Sequence, residues 1–229
     1  MDKEGKAKVF LALDVDKKDV AMSLVEKWSP YVQGFKVGPR LGFQLSQSEW
    51  SALSKKGDLF LDYKFFDIPS TVVSSVKRAF MLGSSFCTVH ALNGEVCLKE
   101  LSKLEKELNR KRPFQILAVT LLTSFDQNTN RLPLVKRPSE SIVKNLTSLV
   151  IHSGLGGLVC SAAEAGMLKS LYPKITLVCP GVRFSGDSAH DQKRVMNPKE
   201  AYKVGADHLV MGRSLINVEN PLSVIKELN

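Results

Sequence analysis

Eight short apolar runs, separated by stretches of helical periodicity, constrain this 229-residue chain more than any other feature. The runs fall at residues 9–13, 35–37, 59–61, 86–89, 114–119, 157–159, 175–178 and 208–211. Between them, apolar residues recur at helical spacing over 19–28, 70–82, 95–109 and 139–152. Pro69-Ser70-Thr71 and Asn197-Pro198 place a proline where a first helical turn tolerates one. Strands that alternate with helices of this length make βαβ units on a parallel sheet. Eight such units with nothing left over predict an α/β protein, a single (β/α)8 TIM barrel occupying residues 1–229 as one domain. An open, doubly wound sheet is the alternative if one run is not a strand.

Composition narrows the class further. No stretch approaches the roughly 18 consecutive apolar residues of a membrane span. The opening residues show no apolar core with a small-residue cleavage site, so a cytoplasmic protein is expected. Cys87, Cys97, Cys160 and Cys179 lack metal-finger or C-x-x-C spacing and read as free buried thiols. The net charge of +9 favours an anionic partner without naming one. Its densest basic run, 103–112, reads as the solvated face and last turn of a helix. No aromatic residues interleave with those charges and no zinc-finger or RNP-type motif is present, so no nucleic-acid partner is expected.

A strand buried on both faces should be apolar throughout, yet these runs end in charge. The first stops at Asp14, the second carries Lys36 and the third continues into Asp62 and Lys64. The fourth ends in His90, the fifth leads to Thr123, the seventh to Pro180-Gly181-Val182-Arg183, and the eighth to Gly212-Arg213. Barrel enzymes place their active sites on this rim, the C-terminal ends of the strands. On the third strand Asp62, Lys64 and Phe60 share parity, so the two charges point inward above the packed interior. Loops over 124–138 and 180–197 follow strand ends and are candidate lids. In barrels, phosphate sites are frequently built after strands seven and eight. Gly212 permits close approach of the backbone to an anion, and Arg213 offers a planar fork.

The block Asp62-Tyr63-Lys64-Phe65-Phe66-Asp67-Ile68-Pro69-Ser70-Thr71 resembles the signature of the orotidine 5′-phosphate decarboxylase family. Leu11-Ala12-Leu13-Asp14, Phe35-Lys36-Val37-Gly38, Thr88-Val89-His90-Ala91 and Leu121-Leu122-Thr123-Ser124 are similar to further blocks of it. So are Pro180-Gly181-Val182-Arg183, Gly186-Asp187 with Asp191-Gln192-Lys193-Arg194, and Gly212-Arg213-Ser214, all in family order from residue 9 to 215. With no fused phosphoribosyltransferase domain, the pattern resembles the stand-alone bacterial type.

The resemblance implies a cofactor-free decarboxylase without a metal, acting on orotidine 5′-monophosphate in pyrimidine biosynthesis. It implies that Lys36, Asp62 and Lys64 form an alternating charge array with Asp67, all four catalytic, with Lys64 protonating C6 of the ring. Asp67, Ile68 and Thr71 would cross into the partner's site of a homodimer. Asp14 and Lys36 would hold the ribose hydroxyls, and Thr123 the pyrimidine. Arg183, Gln192, Gly212 and Arg213 would cover the phosphate end, with residues 180–194, from Pro180 onward, closing as a lid.

Two rivals differ in class. A magnesium-dependent sugar-phosphate decarboxylase or hexulose-phosphate synthase of the same superfamily typically carries a glutamate near the second strand, where this chain has Lys36. A non-catalytic anion-binding or nucleic-acid-binding protein, suggested by the charge of +9, leaves the alternating acids and lysines without a purpose. His90 reads as structural because no serine or cysteine nucleophile pairs with it. His152, His190 and His208 show no ligand spacing. Cys179, where the family pattern has threonine, and Phe184, where it has proline, depart from that pattern beside the lid.

Overall fold

The computed structural model describes residues 6–122, 139–184 and 196–228. These residues form a closed barrel of eight parallel strands in sequential order, each hydrogen-bonded to the next and β8 to β1. The strands are β1 (Ala7–Ala12), β2 (Val32–Val37), β3 (Asp58–Phe65), β4 (Phe86–His90), β5 (Gln115–Val119), β6 (Gly157–Val159), β7 (Thr176–Pro180) and β8 (His208–Met211). The helices between and after them are α1 (Lys18–Trp28), α2 (Pro39–Gly42), α3 (Gln47–Lys56), α4 (Pro69–Met81), α5 (Gly94–Asn109), α6 (Ser139–His152), α7 (Ala162–Leu171), α8 (Pro198–Lys203) and α9 (Arg213–Ile216). The TIM-barrel expectation therefore holds, and all eight apolar runs are strands.

Alternation along each strand divides the core in two. Phe10, Phe60, Phe86, Leu117, Val178 and Val210 fill the barrel, while Val9, Leu11, Phe35, Leu61 and Cys87 pack outward beneath the helices. Three aromatic rings make the interior plug: Phe10 meets Phe60 and Phe86 edge-on, with centroids 5.3 and 5.1 Å apart. Burying a phenylalanine contributes on the order of 2–3 kcal/mol, and the edge-to-face geometry adds to it. The plug is the floor on which the charged strand ends stand.

Local signals set several helix starts. Asn197 accepts from Glu200 N while the Glu200 carboxylate accepts from Asn197 N, and Pro198 sits in the first turn. Ser46 with Glu49 and Ser161 with Glu164 make the same reciprocal cap on α3 and α7. Strand β2 starts three residues before its apolar run because Gln33 and Gly34 interrupt the pattern. A Cβ on Gly34 would lie 1.9 Å from the Asp58 carbonyl oxygen, so the close approach of β2 to β3 requires glycine.

The basic run at 103–112 is not wholly a solvated face. Arg112, just past α5, donates to the Ser84 carbonyl at 2.8 Å and to that of Phe80, and lies over the Phe80 ring. The four cysteines are free and buried, as expected. The expected loop at 124–138 lies outside the described residues, as does 185–195 of the second loop.

At the opposite end of the barrel, α5 turns Glu105 into a recess of about 380 Å³ that Asp58, Asn109 and Gln115 also line. Glu105 Oε1 accepts from Ile116 N at 2.6 Å. Burial nonetheless pushes its carboxyl up to about 7. A raised folded-state value makes the protonated form the stabilising one. That contribution is complete below the ordinary glutamate range and is lost as pH rises through about 7. Urea unfolding should therefore show stability falling between pH 5 and about 8, and Glu105→Gln should flatten that fall. An unchanged pH profile in the variant counts against this assignment.

Candidate active site

Four charged side chains at the C-terminal ends of β1, β2 and β3 form a row of alternating sign. Asp14 Oδ1 lies 3.0 Å from Lys36 Nζ, Lys36 Nζ lies 3.4 Å from Asp62 Oδ2, and Asp62 Oδ1 lies 2.9 Å from Lys64 Nζ. The row is buried at its middle and open at both ends. The side chains of Lys36 and Asp62 are 10% and 13% exposed, against 38% for Lys64 and 53% for Asp14. Lys36 can be buried because carboxylates flank it on both sides.

The protonation states follow from this packing. Burial works against the Lys36 charge, but Asp62 and Asp14 outweigh it and hold its pKa above the ordinary lysine value. Burial likewise opposes ionisation of Asp62. Lys36 and Lys64 prevail, helped by hydrogen bonds from Lys64 and Thr88, so the Asp62 pKa falls below the ordinary carboxylate value. The charged form of each stabilises the other.

Strand β3 reaches this geometry through an irregularity. Leu61 faces Cys87 and Phe65 faces Val89 on β4, so Asp62, Tyr63 and Lys64 stand opposite Thr88 alone. Within this bulge Lys64 has φ +48°, the only positive value at a non-glycine position among the described residues. That conformation costs an L-residue roughly 1–2 kcal/mol. Its surroundings must hold it there, as at many functional sites. The backbone N–H of Lys64 donates to Thr88 Oγ1 at 2.8 Å, and that hydroxyl donates to Asp62 Oδ1 at 3.0 Å.

A cavity of about 580 Å³ opens above the aromatic plug. Asp14, Lys36, Asp62 and Lys64 line it on one side, and Val119, Leu121, Val159 and Val182 supply apolar wall. Pro180, Gly181, Arg183, Gly212 and Arg213 close the β7–β8 side. Arg183 is 7% exposed, and its buried Nε has no hydrogen-bond partner among the described residues. Gly181 has φ +81°, which turns the chain inward after Pro180. The cavity thus offers two ammonium groups and two carboxylates at one side and the Arg183 and Arg213 guanidinium groups toward the other. That polarity suits a ligand with an anionic tail.

The structure brings eight sequence-predicted residues around this cavity: Asp14, Lys36, Asp62, Lys64, Pro180, Arg183, Gly212 and Arg213. Asp67, Ile68 and Thr71 do not line it; they are exposed at the start of α4. Thr123 and Gln192 lie outside the described residues. His90 caps the turn after β4, its Nδ1 accepting from Leu92 N at 3.2 Å, in keeping with a structural role. Arg40 and Thr88 were missed. Arg40 lines the cavity and donates to the Asp14 carbonyl at 3.2 Å, but a lone arginine after Gly-Pro carries no signal. Thr88 opens the family-like block Thr88-Val89-His90-Ala91, but on a strand it carries no sign of a role of its own.

A family model described as "Orotidine 5'-phosphate decarboxylase / HUMPS family" matches residues 7–228. The chain belongs to this family. It is 39% identical over 225 residues to an orotidine 5′-phosphate decarboxylase of Psychromonas ingrahamii, covering 97% of this chain and 95% of that one. It is 40% identical over 226 residues to one of Aliivibrio fischeri, with 97% and 95% coverage. The crystal structure of orotidine 5′-phosphate decarboxylase from Lactobacillus acidophilus superposes with a TM-score of 0.81 at 27% identity, covering 97% of each chain.

The charge row predicts the effect of removing its centre. Lys36→Met leaves the Asp14 and Asp62 carboxylates facing one another without the intervening cation. It should cost about 3 kcal/mol at neutral pH, the scale for breaking a buried ion pair. Because Asp62 would then take up a proton readily, the deficit should shrink near pH 4.5. Urea unfolding of both proteins at the two pH values checks this; an equal deficit at both counts against it.

Proposed function

We propose that this chain decarboxylates orotidine 5′-monophosphate to uridine monophosphate and carbon dioxide, without metal or organic cofactor, in pyrimidine biosynthesis. The observation that carries the reading is the unbroken row Asp14–Lys36–Asp62–Lys64 at the wall of a cavity whose other side carries Arg183 and Arg213. Full-length similarity to decarboxylases of that name supports it.

In the proposed reaction the C6–carboxylate bond breaks and its electron pair stays on C6 as CO2 departs. Lys64 stabilises that carbanion and then gives C6 a proton, and its neutral amine regains one from solvent. Preorganised charge is the means available where no electron sink exists. Asp62 lies beside the departing carboxylate. Two like charges about 4 Å apart at an effective dielectric of 20 repel by roughly 4 kcal/mol, and the repulsion vanishes as CO2 forms. Asp14 and Lys36 hold the ribose hydroxyls, Pro180 packs at the lid's base, and Thr123 holds the pyrimidine. Arg183, Gln192, Gly212 and Arg213 take the phosphate, whose binding energy helps exclude water.

Asp67, Ile68 and Thr71 complete the site of a second copy in a homodimer. Exposed Phe66, Ile68, Leu92 and Val96 near the β3 and β4 ends make an apolar rim suited to such contact. The enzyme is read as cytoplasmic, which suits its free thiols. Among the described residues no helix is long and apolar enough to cross a membrane. A magnesium-dependent sugar-phosphate reading fits less well, because the ammonium groups of Lys36 and Lys64 already occupy both oxygens of Asp62.

Mixing the purified protein with orotidine 5′-monophosphate should remove the orotate absorbance equally with and without chelator. Lys64→Ala should abolish turnover, whereas Arg213→Ala should chiefly raise KM. Loss of activity in chelator, or equal losses of kcat in both variants, overturns the assignment. Mixing separately inactive Lys64→Ala and Asp67→Ala proteins should restore activity, since a mixed dimer holds one site with both residues intact. No recovery despite subunit exchange counts against shared sites.

A further inference from the structure

We infer that Thr88 is a positioning residue for the reaction: its hydroxyl, by accepting from Lys64 N and donating to Asp62 Oδ1, sets where the Lys64 ammonium points. The inference rests on the decarboxylase reading above. Three separate features converge on this side chain. It is fully buried, it stands alone opposite the three bulged residues of β3, and it makes both hydrogen bonds at once.

In a regular parallel ladder the Lys64 N–H would find a carbonyl on the neighbouring strand. The bulge removes that partner, and a buried amide cannot go unpaired without a penalty. The Thr88 hydroxyl takes the carbonyl's place. Its single proton is then left for Asp62 Oδ1, the oxygen that also receives Lys64 Nζ at 2.9 Å. One hydroxyl therefore ties the backbone of the lysine to the carboxylate that holds its tip. Both ends of the Lys64 side chain are referenced to the same point, in a left-handed conformation that the residue would not choose alone. Thr88 does not line the cavity, so it acts through Lys64 and Asp62 rather than on a ligand.

Valine has threonine's shape without its hydrogen-bonding capacity, so Thr88→Val isolates the hydroxyl. Misplacing a catalytic group by a fraction of an ångström to 1 Å costs roughly tenfold to a hundredfold in rate. Thr88→Val should lose kcat on that scale, with KM for orotidine 5′-monophosphate and the affinity for uridine monophosphate within about threefold of wild type, because the phosphate end is untouched. Thr88→Ser keeps the hydroxyl and should retain most of kcat. Thr88→Cys, a poor acceptor of serine's size, should behave like valine and serves if the valine variant does not fold.

Circular dichroism and nucleotide binding establish that each variant is folded. A folded Thr88→Val or Thr88→Cys protein with wild-type kcat overturns the inference, as does a serine variant no better than valine. A parallel loss of kcat and nucleotide affinity also overturns it, since that marks general disruption. A wild-type chain inert toward orotidine 5′-monophosphate overturns the functional reading itself and the inference with it, which no result with the variants alone could mimic.

Discussion

Buried charge of one sign is unstable in a protein, and the barrel mouth exists as it does because each charge there is neutralised by the next. Lys36 could not remain protonated above an aromatic plug without Asp14 and Asp62 on either side, nor Asp62 ionised without Lys36 and Lys64. Desolvation of each ion costs several kcal/mol, and only close, hydrogen-bonded partners offset it. The row is therefore cooperative: removing one member changes the protonation of its neighbours. The same property leaves the Lys64 ammonium, fixed in place, at the wall of the cavity.

The row in turn depends on how β3 meets β4. A regular strand would carry Asp62 and Lys64 inward at even spacing, with no reason for their tips to converge. The bulge opposite Thr88 and the left-handed backbone at Lys64 bring the lysine tip back to the Asp62 carboxylate. Strain of that kind persists where surrounding contacts over-determine it, and here those contacts are a buried hydroxyl and the carboxylate itself. The aromatic plug below contributes differently: packed Phe10, Phe60 and Phe86 give the charges a floor that cannot collapse under them.

Much of this was legible beforehand. All eight strands showed as apolar runs because a strand covered on both faces must be apolar on both. Eight predicted site residues meet around one cavity because βα loops of a barrel share one rim. Illegibility had local causes. The start of β2 was hidden by Gln33, whose amide donates to the Asp58 carboxylate, and by Gly34, which lies against the Asp58 carbonyl. Arg112 looked solvated because its acceptors, the Ser84 and Phe80 carbonyls, come from a distant stretch of chain. Thr88 stood in the block Thr88-Val89-His90-Ala91, but nothing in the sequence shows what its hydroxyl touches.

By itself, then, the order of residues determined the barrel, the rim that carries the site, and most of the charged residues that stand on it. Periodicity and strand-end polarity are properties of nearest neighbours along the chain, and they survive in a string of letters. Tertiary structure alone decided that the array of Lys36, Asp62 and Lys64 continues to Asp14, that Lys64 adopts a left-handed backbone, and that Thr88 ties the two ends of that lysine together. Those facts depend on register between strands and on which groups share a desolvated space, and both are settled only when the sheet closes.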